Sequence, residues 1–178
     1  MTCETTYMSP FGPMVMRSDG QYLTQLFFAD HADATVCGCT HTTISRLPVF
    51  EQTARWLDIY FNGHNPDFTP DYRMNHLTPF RRKVVDLMLQ IPYGQTVTYN
   101  ELAQTIAAGT SKMSAQAVGG AVGWNPICIV VPCHRVVGAH GNLTGYGGGI
   151  DNKVRLLELE GNDMSRFYMP TKMQKEKR

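Results

Sequence analysis

A continuous apolar run, Ile127-Cys128-Ile129-Val130-Val131, is cut off by Pro132 and followed at once by Cys133, His134 and Arg135. Five apolar positions in succession leave no side for water, so the run reads as a strand buried on both faces. Such a segment has to be surrounded by other elements, and the neighbouring sequence is written as short helices. Thr78-Pro79 offers an N-cap and a proline at the first helical position. Phe80, Val84, Leu87, Met88 and Ile91 follow at helical spacing, to a stop at Pro92-Tyr93-Gly94. Thr98 or Asn100 can cap a helix over Glu101–Ala107, Gly109-Thr110-Ser111 makes a turn, and Ser114 caps a second helix over Ala115–Val122. Two short helices joined by a tight polar turn form a helix-turn-helix pattern. Asp151 can cap a last helix, Asn152–Glu160, with Val154, Leu156, Leu157 and Leu159 inward and Gly161 just past its end.

The first half is mixed. Tyr22–Ala29 has strand character, and Phe50, Ala54, Leu57 and Phe61 mark an amphipathic helix over Phe50–Phe61. Asn62-Gly63-His64-Asn65-Pro66 breaks it, and Asn65–Thr78 reads as the tie between two subdomains. The expected fold is α/β (α+β). A small N-terminal mixed α/β support domain (1–76) precedes a mainly helical, helix-turn-helix, winged-helix-like domain (77–165), and 166–178 is a flexible tail.

With 178 residues, 43% hydrophobic and 17% charged, the chain can bury a core as one ordinary domain or two small ones, and wholesale disorder is excluded. No apolar run approaches the roughly 18 residues of a membrane span, and Met1–Gly12 lacks the pattern of a secretory leader. Five cysteines, an odd number with Cys128 and Cys133 in or beside one apolar run, fit a reducing, cytoplasmic location better than a disulfide framework.

The net charge of +1 argues against a nucleic-acid binder only as a whole-chain figure. Residues 1–76 carry four basic and eight acidic side chains, −4; residues 77–178 carry twelve and seven, +5. Lys172–Arg178 supplies +3 of that. The remaining surface of the second half is mildly basic.

Two features carry chemistry. Cys133 leaves an apolar run at a proline, beside an imidazole and a guanidinium that both favour a thiolate. Neighbouring side chains of a strand point apart, so His134 can serve Cys133 only through a sharp turn or a bridging water. An inert buried thiol is the alternative. The second helix holds Ala115, Ala117, Gly119, Gly120 and Ala121. Glycines weaken a helix, so the pair signals close approach of a ligand or tight helix–helix packing.

In order along the chain stand Ile91-Pro92-Tyr93-Gly94-Gln95-Thr96-Val97-Thr98-Tyr99, Ala117-Val118-Gly119-Gly120-Ala121, Asn125-Pro126, Pro132-Cys133-His134-Arg135-Val136-Val137, Gly145-Tyr146-Gly147-Gly148-Gly149, Leu156-Leu157 and Glu160-Gly161. This series closely resembles the O6-alkylguanine-DNA alkyltransferases, over roughly Thr78 to Gly161. The resemblance implies repair of duplex DNA by irreversible transfer of an alkyl group from O6-alkylguanine, with O4-alkylthymine as a second candidate substrate, to Cys133, once per molecule and without a cofactor. It implies a monomer that binds from the minor groove and flips the alkylated base.

By position, Cys133 is the acceptor, His134 its water-mediated base, Glu160 the carboxylate that holds His134, Asn125 the brace of the turn, and Tyr99 the donor to the leaving guanine. Val136, Tyr146, Gly147 and Gly148 line the base pocket. Ser114, Ala115, Gln116, Ala117, Gly119, Gly120 and Arg135 form the DNA-contacting set, although Arg135 could equally pack structurally, which a buried cysteine segment favours. Much of the family has an arginine at the place of Gln116, where it enters the base stack. Glutamine lacks that charge and stacking plane, so weaker and less salt-dependent DNA binding is expected.

Some members hold a structural zinc. Cys3, Cys37, Cys39, His41, His64 and His76 are available, but Cys37-x-Cys39-x-His41 lacks the usual C-x₂₋₄-C spacing, and no metal is expected. A non-enzymatic lesion binder or helix-turn-helix regulator is the alternative function, and it has no need of a thiol at 133. A cysteine hydrolase would need an oxyanion loop before Cys133, and none stands there.

Overall fold

The computed structural model describes residues 2–31, 41–43, 46–108 and 113–169. Contacts divide the chain into two compact units, 1–76 with Pro126–Val130, and 77–125 with 131–178. The first unit therefore takes in a five-residue piece from the middle of the second half.

The first unit is built on a four-stranded sheet. β1 (Thr2–Ser9) and β2 (Gly12–Ser18) form an antiparallel hairpin across Pro10-Phe11. β3 (Leu23–Phe28) lies within the expected Tyr22–Ala29 strand, and β4 (His41–Thr43) pairs parallel to β1, giving the order β3-β2-β1-β4. β2 buries Met14, Met16 and Ser18 on one face, the period-2 alternation of a half-covered sheet. Helix α1 (Pro48–Phe61) starts with proline at its first position and buries Val49, Phe50, Thr53, Trp56, Leu57 and Tyr60, one face of a helix. Tyr60 stacks on Trp56 and meets Phe61 edge-on. Cys37 and Cys39 of the zinc candidates, and the Gly109–Ser111 turn, lie outside the described residues.

The apolar run Ile127–Val131 is not a strand. Ile127 bridges Leu26 of β3, where Leu26 N–H donates to Pro126 O at 2.8 Å and Cys128 N–H donates to Leu26 O at 2.9 Å. Val130 N–H then donates back to Cys128 O at 2.8 Å around Ile129, whose φ is +69°. That is the geometry of a classical γ-turn, a strained conformation for a β-branched residue. Apolarity reported burial correctly, but hydrogen bonding within the segment broke the extended path.

The second unit carries four α-helices and two short strands among its described residues. α2 (Pro79–Leu89) is capped by Thr78, whose hydroxyl accepts from Arg81 N–H at 3.2 Å, and buries Val84, Val85 and Met88. β5 (Val97–Thr98) leads into α3 (Tyr99–Ala107). Of the two candidate caps Thr98 is the one used: its hydroxyl accepts from Glu101 N–H, and the Glu101 carboxylate accepts from Thr98 N–H. Ser114 caps α4 (Ala115–Gly123). β6 (Val136–Val137) pairs parallel with β5. α5 runs from Ile150 to Leu159, two residues earlier than expected at its start and one at its end. Gly149, φ +84°, is its N-cap, and Asp151 sits inside the first turn. Asp151 is displaced as a cap because the glycine-rich loop enters the helix through a conformation that only glycine adopts easily.

Val137, Leu143 and Leu157 form a small core with Val154, Met164 and Phe167 against it. Tyr168 N–H donates to Gly141 O and Leu143 N–H donates to Tyr168 O. Residues 166–168 are thus packed and bonded, and do not belong to the loose tail expected from 166. No described helix is long and apolar enough to cross a membrane.

Candidate active site

Pro132 sets the local geometry. With φ −82° and ψ 63°, and Cys133 N–H donating to Val131 O at 2.8 Å, it forms an inverse γ-turn. Cys133–Arg135 follow as one turn of 3-10 helix. Successive side chains there are about 120° apart rather than opposed, which resolves the strand objection to Cys133 and His134 acting together.

Cys133 is 6% exposed. Asn125 donates its amide Nδ2 to Cys133 Sγ at 3.0 Å and to Val131 O at 2.9 Å. One side chain holds the turn and also points an N–H dipole at sulfur, which favours thiolate over thiol. Beyond it, His134 is fully buried and its Nε2 meets Glu160 Oε1 at 2.7 Å. Glu160, the C-cap of α5, also accepts from Arg135 Nε at 2.9 Å, from Arg135 Nη2 at 2.9 Å and from Gly94 N–H at 3.1 Å. Gly94 has φ +75°, and a Cβ there would stand 2.9 Å from Glu160 O. Glycine is required for this approach.

Burial alone would raise the Glu160 carboxyl, but His134 and Arg135 outweigh it and hold it down to about 2. Burial pushes His134 down despite the attraction of Glu160. The pair is therefore a neutral imidazole beside a carboxylate. An ionised carboxylate only accepts hydrogen bonds, so Nε2 carries the proton and Nδ1 keeps a lone pair. A base is thereby fixed on the residue next to the thiol.

Tyr99, the first residue of α3, donates its hydroxyl to Gly145 O at 3.2 Å and to Thr144 O at 3.4 Å. Burial, with Cys133 adding to it, pushes its phenol up to about 12, so it is a neutral donor. Tyr99 also lines an open cavity of about 640 Å³ with Ala115, Gln116, Gly119, Gly145, Tyr146 and Gly147 among its walls. The structure brings Tyr146 and Gly147 to this cavity. Gly148 is buried and its carbonyl accepts from Asn152, and Val136 is buried in β6.

On α4, Ser114, Gln116, Ala117 and Gly120 are exposed and Ala115 and Gly119 half-buried. A Cβ at Gly120 would meet nothing within 4 Å, and one at Gly119 only the Tyr99 ring at 3.9 Å. Tight packing inside the unit does not require either glycine, and both leave room for the approach of an external ligand. Gly120→Ala should therefore raise stability by roughly 0.5–1 kcal/mol while weakening duplex DNA binding. A gain in stability with unchanged DNA affinity, by melting and gel shift, would refute this.

Arg135 is corrected from the DNA-contacting set. Its side chain is 10% exposed and its guanidinium is spent on Glu160 and, through Nη1 at 2.8 Å, on Ile91 O. It braces the site from within. Lys153, which the sequence did not single out, is fully buried in α5 and donates Nζ to Val136 O at 2.7 Å.

The description "6-O-methylguanine DNA methyltransferase, DNA binding domain" matches residues 79–162, and "6-O-methylguanine DNA methyltransferase, ribonuclease-like domain" matches residues 2–70. A methylated-DNA–protein-cysteine methyltransferase of Mycobacterium leprae is 39% identical over 155 residues, covering 85% of this chain and 88% of that protein. One of Haemophilus influenzae is 37% identical over 156 residues, covering 88% and 84%. The crystal structure of Mycobacterium tuberculosis OGT in complex with DNA is similar with a TM-score of 0.75 at 39% identity, covering 96% of this chain and 97% of that one. The chain belongs to the family of 6-O-methylguanine DNA methyltransferases, also called methylated-DNA–protein-cysteine methyltransferases.

Proposed function

We propose that this chain repairs duplex DNA by moving the O6-alkyl group of a guanine onto Cys133. The observation that carries the reading is the buried series Asn125–Cys133 and His134–Glu160–Arg135, a thiol held by an amide donor next to a neutral imidazole whose proton is fixed on the far nitrogen.

The steps balance. The Cys133 thiol gives its proton through a water to Nδ1 of His134. The thiolate attacks the alkyl carbon in line, a C–S bond forms, and the C–O bond breaks with its electron pair going to guanine. The Tyr99 phenol donates a proton to the leaving base and is restored by the proton held on His134. The product is a thioether. No residue of the site is placed to cleave it, so each molecule reacts once.

In this reading α4 lies against the minor groove, and the cavity of Tyr99, Tyr146 and Gly147 receives the flipped base. The protein acts as a monomer in the cytoplasm. The exposed carboxamide of Gln116 fills the gap left in the stack. Gln116→Arg should then tighten binding of alkylated duplex and steepen the fall of log affinity with log salt by up to about 0.9. Unchanged or weaker binding would overturn this role for position 116.

The direct test is incubation with duplex carrying methyl-labelled O6-methylguanine. One label per protein molecule at completion is expected. Binding without transfer would indicate a lesion binder, and repeated turnover would exclude both readings.

A further inference from the structure

The loop Gly145–Gly149 has glycine at four of its five positions, and Gly145, Tyr146 and Gly147 stand in the wall of the cavity. Glycine gives a backbone its widest choice of conformations, so a run of it keeps one shape only where other groups fix it. At the front of the loop, Tyr99 and Lys153 both donate to Thr144 O. At the back, the Gly148–Gly149 peptide is gripped at both ends. Its N–H donates to Tyr146 O at 3.0 Å, closing a turn with Gly147 and Gly148 at the centre, and its carbonyl accepts from Asn152 Nδ2 at 2.9 Å. A peptide unit is planar, so bonds at its two ends fix the orientation of the whole unit and of the turn it closes.

Asn152 is the third residue of α5 and 7% exposed. The helix itself gives no reason for it. Asparagine is a weak helix former, and a buried amide is costly unless it is bonded. The bond it makes is not a cap either: a helix start leaves N–H groups in need of acceptors, whereas Asn152 donates. The bond leaves the helix for a loop carbonyl four residues back. Past the last turn of α5, Glu160 holds His134 and Arg135. One helix thus carries the imidazole network at its end and the pocket wall at its start.

We infer that Asn152 is a positioning residue for base capture: by orienting the Gly148–Gly149 peptide it presets the turn that presents Tyr146 and Gly147 to the cavity. The inference rests on the proposed function and deepens it. Ordering a loop at the moment of binding subtracts from affinity. A wall that is already set favours capture of the base, and leaves the thiol of Cys133 and the exposed residues of α4 as they are.

Asn152→Leu keeps the size of the side chain and removes the donor. Transfer from dilute duplex carrying methyl-labelled O6-methylguanine should slow roughly tenfold, the worth of one hydrogen bond. Iodoacetamide labelling of Cys133, which needs the thiol but not the pocket wall, should stay at the wild-type rate, and so should affinity for unmodified duplex. A variant that transfers as fast as wild type overturns the inference. So does one in which iodoacetamide labelling changes as well, because the defect then lies in the thiol or the fold. If the wild type itself transfers no label, the proposed function fails instead. A second measurement needs no variant and so covers one that does not fold. The ¹⁵N order parameters of the Gly147 and Gly148 amides in the wild type should match those of rigid backbone, about 0.85, and values below about 0.6 overturn the inference.

Discussion

Cys133→Ala should abolish label transfer from O6-methylguanine duplex while leaving the alkylated duplex bound. The thiol is the only group of the site with the nucleophilicity to displace an oxygen leaving group from an alkyl carbon near neutral pH. In the proposed reaction Asn125 and His134 prepare that group, and neither can replace it. The truncation removes one buried sulfur and one hydrogen bond from Asn125, a loss of about 1–3 kcal/mol, and it touches none of the exposed positions of α4. Binding should therefore survive where transfer does not. Cys133→Ser keeps an acceptor for Asn125 but offers a hydroxyl that does not ionise in this pH range, so it should be inert as well. Label on either variant, counted after denaturing gel separation, would show that another residue is the acceptor.

The second large effect is expected at Glu160. Its carboxylate is buried and answers His134, Arg135 and the Gly94 amide together. Glu160→Gln leaves the Arg135 cation buried without its anion and removes the group that holds the His134 tautomer. Deleting one partner of a buried charge pair costs about 3–5 kcal/mol, and transfer should fall with it. The dependence on pH gives a check that a simple packing defect would not reproduce. The carboxyl is held at about 2 in the folded protein, below its ordinary value near 4.5. The unfolded chain therefore takes up the proton first as pH falls. The stability contributed, on the order of 3 kcal/mol, is present above about 4.5 and lost on the way down to about 2. His134 acts in the same direction at higher pH. Its folded value is lowered from 6.5, so stability also declines as pH drops below about 6.5. Denaturant melts across pH should show a shallower acid loss in Glu160→Gln between about 4.5 and 2 than in the wild type. Equal slopes, or a variant as stable as wild type at pH 7, would remove Glu160 from the centre of the network.

Several parts of this molecule were legible before any coordinates. Helix starts were, because Thr78, Thr98 and Ser114 each have a side-chain oxygen that satisfies a backbone N–H three residues on, a purely local event. The α1 helix was, because its apolar spacing runs through four turns. The order of motifs from Tyr93 to Glu160 gave the family and the acceptor. The β1–β2 hairpin was missed: Thr2–Ser18 has mixed, weakly alternating side chains, and its pairing is a property of two segments together. Lys153 left a faint signal. Lys153, Leu156, Leu157 and Glu160 stand at i, i+3, i+4 and i+7, so one stripe of α5 is buried with a charge at each end. Apolar spacing alone puts Val154, Leu156, Leu157 and Leu159 inward, which finds Leu156 and Leu157 but passes over the two charged residues.

The sequence alone pointed to Cys133, because a thiol, an imidazole and a guanidinium in succession after a proline mark a cysteine that can be activated, and the resemblance favoured that reading over an inert buried thiol. Only the folded chain decided how they share the work. Two successive γ-turns, around Ile129 and Pro132, convert an apolar run that looks like a strand into a bend. That bend places His134 toward Glu160 and turns Arg135 inward onto Glu160 and Ile91 O. It also brings a lysine twenty residues further on beneath the same turn. Residue type is local and can be read one position at a time. Which nitrogen holds the proton and which cation is spent depend on burial and on partners distant in the chain, and those exist only once it has folded.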